Sequence, residues 1–169
     1  YPAAVMPDFR ALRYITCPNQ VVSDAENHHP GIANSGPFLA MNPFSSRCCQ
    51  HNHAQGWPYF SEHLVLATPD NGLAVAMYAA CRTTMKVGDG TEISLREETR
   101  YPFEETVTFT LSTEKNVSFP FYCRIPSWAK DAEVRVNGKK VGIKPVAGKY
   151  LCVEREWSEG DRIELHFPM

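Results

Sequence analysis

The feature that most constrains this chain is its second half, where short apolar runs alternate with turn signals from Gly72 to Met169. In Thr106-Val107-Thr108-Phe109-Thr110-Leu111 and Arg162-Ile163-Glu164-Leu165-His166-Phe167 polar and apolar residues swap at every step. That is the period of a strand with one buried face. Strands are expected at Leu73 to Ala80, Thr83 to Val87, Glu92 to Tyr101, Glu105 to Leu111, Val117 to Ile125, Glu133 to Val136, Lys139 to Ile143, Tyr150 to Glu156 and Arg162 to Phe167. Asn137-Gly138 between two of them is the signature of a type I′ hairpin turn. About nine short strands bounded by turns specify a mainly β protein, an antiparallel β-sandwich. Trp128 and Trp157 are expected to pack within it.

The first part of the chain follows different rules. Pro2, Pro7, Pro18, Pro30, Pro37 and Pro43 break any long helix before Cys48, leaving a loop-rich segment. From Cys48 to Thr68 the residues Ala54, Trp57, Phe60, Leu64 and Ala67 recur at helical spacing, so one helix with an apolar face is expected there. Pro58 would kink it or open its second part. Thr68-Pro69-Asp70-Asn71-Gly72 stops it. The expected organisation is 1–68, loop plus helix, and 69–169, a β-sandwich.

Charge and hydropathy exclude some partners. The net charge is −2 and no basic run exceeds Lys139-Lys140, which argues against nucleic acid. No apolar run approaches the roughly 20 residues needed to cross a bilayer. The chain starts at Tyr1 with nothing like a signal peptide, and it reads as an excised or processed piece whose compartment is not written in its start.

The chemistry concentrates in Arg47-Cys48-Cys49-Gln50-His51-Asn52-His53. Cys17, Cys81, Cys123 and Cys152 are scattered, the last three in apolar strand-like runs, and are expected to be packing thiols. Cys48 and Cys49 instead sit where the helical pattern begins, beside Arg47. A helix N-terminus lowers a thiol's pKa, and a bound Zn²⁺ lowers it further. Cys49 and His53 lie one turn apart, whereas His51 and His53 point in nearly opposite directions on a helix. Two or three local ligands fall short of the four a closed zinc site needs. On the residues alone, a reactive or metal-bound pair and two packing thiols remain open, as does a structural zinc site of Cys48, Cys49 and His53. His28-His29 reads as a solvated loop pair.

Several stretches carry a family resemblance. Pro7 to Gln20, Cys48-Cys49-Gln50-His51-Asn52, His53-Ala54-Gln55-Gly56-Trp57, Arg124-Ile125-Pro126-Ser127-Trp128-Ala129, Val136-Asn137-Gly138 and Arg155 to Asp161 together resemble the C-terminal part of the β-L-arabinofuranosidase-like glycoside hydrolases, glycoside hydrolase family 127 and its relatives. The resemblance covers nearly the whole chain. It implies an (α/α)6 barrel carrying the active site and followed by β-sandwich domains, with 1–68 as the tail of that barrel. It implies Zn²⁺ held by three cysteines and a glutamate, with Cys48 and Cys49 among the ligands and Cys48 also the nucleophile. Tyr14 resembles a substrate-contacting tyrosine. The implied reaction is retaining, with a thiolate in place of the usual second carboxylate.

The implied third cysteine, glutamate ligand and acid/base glutamate lie upstream. Glu26, the only acidic residue between Asp24 and Cys48, matches none of these roles, and Glu62 reads as a solvated helix residue. The expected partners are a plant-type oligosaccharide or glycoside and an upstream helical barrel, and the chain alone is expected to be inactive. The alternative is a non-catalytic β-sandwich that binds carbohydrate or braces a neighbouring domain.

Overall fold

The structure is a computed structural model that describes residues 47–169, with side chains from residue 55 onward. The chain divides into two compact units, Tyr1–Tyr59 and Phe60–Met169. Among the described residues there is one helix, α1 (Arg47–Glu62). Ten strands follow: β1 (Val65–Ala67), β2 (Leu73–Val75), β3 (Cys81–Val87), β4 (Thr91–Thr99), β5 (Thr106–Thr113), β6 (Val117–Arg124), β7 (Glu133–Val136), β8 (Lys139–Lys140), β9 (Tyr150–Trp157) and β10 (Arg162–His166).

The strands form two sheets, ordered β1-β2-β6-β9 and β3-β4-β5-β10-β7-β8. Alternation decides which face turns inward. Ile93 and Leu95 of β4, Val107, Phe109 and Leu111 of β5, and Ile163 and Leu165 of β10 are buried from one sheet. Phe119, Phe121 and Cys123 of β6, with Leu151, Val153 and Trp157 of β9, are buried from the other. Phe109 meets Phe121 edge-on at 5.6 Å between ring centroids, and Phe121 meets Trp157 at 5.7 Å, so aromatic rings join the two layers. The Trp157 indole N–H donates to Phe119 O at 2.9 Å, satisfying its one polar atom inside the core. The outward face of the six-stranded sheet is charged, with Arg96–Glu98 at 2.7 Å and Arg135–Glu133 at 3.1 Å.

The expected sandwich is present, and every expected strand has a counterpart, with differences at its margins. The helical pattern drawn to Thr68 stops at Glu62, and Leu64 and Ala67 are not on a helical face. Leu64 and Val65 are buried in the sandwich, where Val65 pairs with Val75 and Ala76 N donates to Leu64 O. Burial in a sheet overrides a periodicity that fits a helix equally well. The run Leu73 to Ala80 is not one strand. It leaves the four-stranded sheet after Val75 and enters the six-stranded sheet at Cys81. Arg124 Nε donates to Ala76 O and the Tyr78 hydroxyl donates to Arg124 O, fixing the crossing.

Among the described residues all pairings are antiparallel except β2 with β6, which is parallel. Gly72, just ahead of β2, cannot be replaced cheaply: an added Cβ would stand 2.2 Å from Pro120 O. Asn137 and Gly138 both take positive φ, 49° and 77°, as the expected type I′ turn requires.

Candidate functional site

Cys48 and Cys49 lie in the first turn of α1, which begins at Arg47. The backbone therefore places both in the first turn of a helix, where the sequence pattern put the helix start. Their side chains, with those of His51 and His53, lie outside the described residues. So do Tyr14, Cys17, Glu26, His28 and His29. Further along α1, Trp57 and Tyr59 are exposed, at 53% and 58%, while Phe60 packs against the sandwich core. Glu62 faces solvent, 3.8 Å from His63 Nδ1.

The other described thiols are of a different kind. Cys81, Cys123 and Cys152 are unbridged, and Cys123 is wholly buried. Burial pushes the Cys123 thiol far up, and it raises Cys81 and Cys152 as well. Cys123 in the core and Cys81 packed against it take the packing role expected of them, whereas Cys152 lies beside Tyr122 on the outward face of its sheet. Among the described residues no three His, Cys, Asp or Glu side chains converge as a metal site.

Two features departed from expectation. Trp157 is packed as expected, but Trp128 is 45% exposed, with its ring 11° from parallel to Tyr101 and edge-on to Phe167. Glu97, a charged residue within a strand, is only 2% exposed. It accepts from Ala79 N at 3.0 Å and faces Cys81 Sγ at 3.7 Å. Burial pushes its carboxyl up to about 8. The signal was present: in Ile93-Ser94-Leu95-Arg96-Glu97 the alternation aims Glu97 at the same face as Ile93 and Leu95.

Residues 72–169 match the family model described as the β-L-arabinofuranosidase, GH127 middle domain, which is more than half of the chain. The chain belongs to glycoside hydrolase family 127. Its β-sandwich is the GH127 middle domain. A GH127 β-L-arabinofuranosidase from Geobacillus stearothermophilus T6 is 31% identical over 99% of this chain and 26% of that one, with a TM-score of 0.76. A second solved structure, a glycoside hydrolase, is 28% identical over 99% of this chain and 27% of its own, with a TM-score of 0.78. A GH127 β-arabinofuranosidase at 24% identity shares the fold, with a TM-score of 0.74 over 99% of this chain and 26% of its own. The chain thus spans about a quarter of the length of these structures. No curated protein matches it.

Proposed function

We propose that the chain is part of a retaining glycoside hydrolase of the β-L-arabinofuranosidase type, with Cys48 as nucleophile. GH127 membership carries this reading, and the place of Cys48-Cys49 in the first turn of α1 supports it. Residues 1–68 would be the tail of a helical catalytic barrel lying mostly upstream, with Tyr14 contacting the sugar. The substrate class is a plant-type oligosaccharide or glycoside.

Two adjacent thiols at a helix start suit a soft metal ion, and Cys48 and Cys49 would hold Zn²⁺ with ligands from the upstream part. When bound, that ion would keep the thiols ionised at neutral pH. The Cys48 sulfur forms a bond to the anomeric carbon as the glycosidic C–O bond breaks. A carboxylic acid from the upstream part gives its proton to the departing oxygen. Water then attacks the same carbon and loses a proton to that carboxylate, the C–S bond breaks, and the thiolate returns with configuration retained.

Mass spectrometry of the longer enzyme, treated with a covalent arabinofuranosyl-type inhibitor, should find the adduct on Cys48. An adduct on any other residue would sink the assignment. A second reading, a sandwich that binds carbohydrate without cleaving it, is favoured by one observation: the β-sandwich is a compact unit by itself, with a complete core.

A further inference from the structure

The two sheets turn unlike faces outward. The six-stranded sheet presents ion pairs, whereas Leu66, Ala74, Tyr122 and Cys152 form one register row across the four-stranded sheet. Over this row lies a shallow hollow of about 340 Å³, lined by Thr68, Pro69, Asp70, Ala74, Tyr122 and Tyr150. Its volume lies at the lower end of small-molecule sites, roughly 300–1,000 Å³. Ala74 offers only a methyl group at the floor. Tyr150, 47% exposed, stands one strand over from Tyr122 and two register steps along, so both rings rise from the same face.

The polar group at the rim is fixed in advance. Asp70 accepts from the Tyr122 hydroxyl at 2.6 Å and from the Thr68 hydroxyl, while Thr68 Oγ1 itself accepts from Gly72 N at 3.0 Å. These bonds, that from Thr68 first, hold the Asp70 carboxyl below the usual range, so near neutral pH it only accepts. Among the described residues, no cationic side chain lines the hollow. That combination disfavours phosphates and carboxylates. It suits an uncharged ring with an apolar C–H face for the tyrosines and hydroxyls for Asp70.

We propose that this hollow is a non-catalytic carbohydrate subsite, taking one neutral sugar ring of a glycan chain. It rests on the second reading above and gives that reading its residues. The test is an NMR titration of the 169-residue chain with arabinose and short arabino-oligosaccharides, following the aromatic signals of Tyr122 and Tyr150 and the Ala74 methyl. Saturable shifts confined to these groups are expected, with a dissociation constant on the order of 1 mM. Tyr150→Ala should weaken binding about tenfold while leaving the circular dichroism spectrum unchanged, and Tyr150→Phe should keep it.

Saturable shifts elsewhere on the sandwich would overturn the hollow and leave carbohydrate binding standing. No shifts at all would overturn both. If the two tyrosines instead respond to protein concentration without sugar, and light scattering gives a dimer mass, a second copy covers the hollow and the proposal fails.

Discussion

Glu97 shows how much one inward-facing residue can dictate. A carboxyl with 2% exposure and a pKa raised to about 8 is mostly uncharged in the folded chain at pH 7, but charged once unfolded. Its folded pKa lies above the 4.5 of a free glutamate, so the stability it contributes is full below about that pH and is lost as pH rises through 8. Thermal melts of the chain should therefore fall between pH 5 and pH 9. Glu97→Gln should flatten that fall and be the more stable protein at pH 8.5, by on the order of 1 kcal/mol or roughly 4–8 °C in Tm. An identical pH profile in the variant would remove Glu97 as the cause. Trp157 tests the core at the same scale. It is wholly buried against Phe119 and Phe121 with its N–H satisfied, so Trp157→Ala should cost about 3–5 kcal/mol in urea unfolding.

At the scale of elements, Gly72 is the point where local chemistry and packing must agree. Gly72→Ala drives a methyl group into Pro120 O, and a loss of about 1–3 kcal/mol is expected by chemical denaturation. Wild-type stability in that variant would mean the β2 entry can shift. The sheets were largely legible from the sequence because their inward residues obey a period of two and their turns use Asn-Gly and Gly. What was not legible lies where one signal serves two structures. Leu64 and Ala67 continue the helical spacing of α1, yet Ala67 is made strand by pairing with Leu73 of β2, and Leu64 is buried just ahead of β1. The run from Leu73 to Ala80 is apolar throughout, and nothing local marks Ala76 as the residue that leaves one sheet for the other. The helix start at Cys48-Cys49 was legible because proline punctuation ends where a helical period begins. The ligands proposed to complete that site would come from another stretch of chain, and no local pattern here would carry them.

At the scale of the molecule, Phe60–Met169 holds all ten strands and the buried cluster. A protein of residues 60–169 should fold by itself, with one cooperative melt and a β-type circular dichroism spectrum. A broad, non-cooperative transition would show that the sandwich depends on what precedes it.

The parallel pairing of β2 with β6 carries a consequence in time. Ala76 and Arg124, which hydrogen-bond beside this pairing, are 48 residues apart, and β1 reaches the sheet only through β2. As the chain leaves the ribosome, β3, β4 and β5 can zip as successive hairpins, while β1 and β2 wait for a strand not yet made. Pulse-labelled hydrogen exchange should find the amides of Leu73 and Val75 protected after those of Ile93 and Leu95. Leu64 and Val65, which follow α1 directly and are buried beside β2, are thus fixed late, after the hairpins further along the chain have formed.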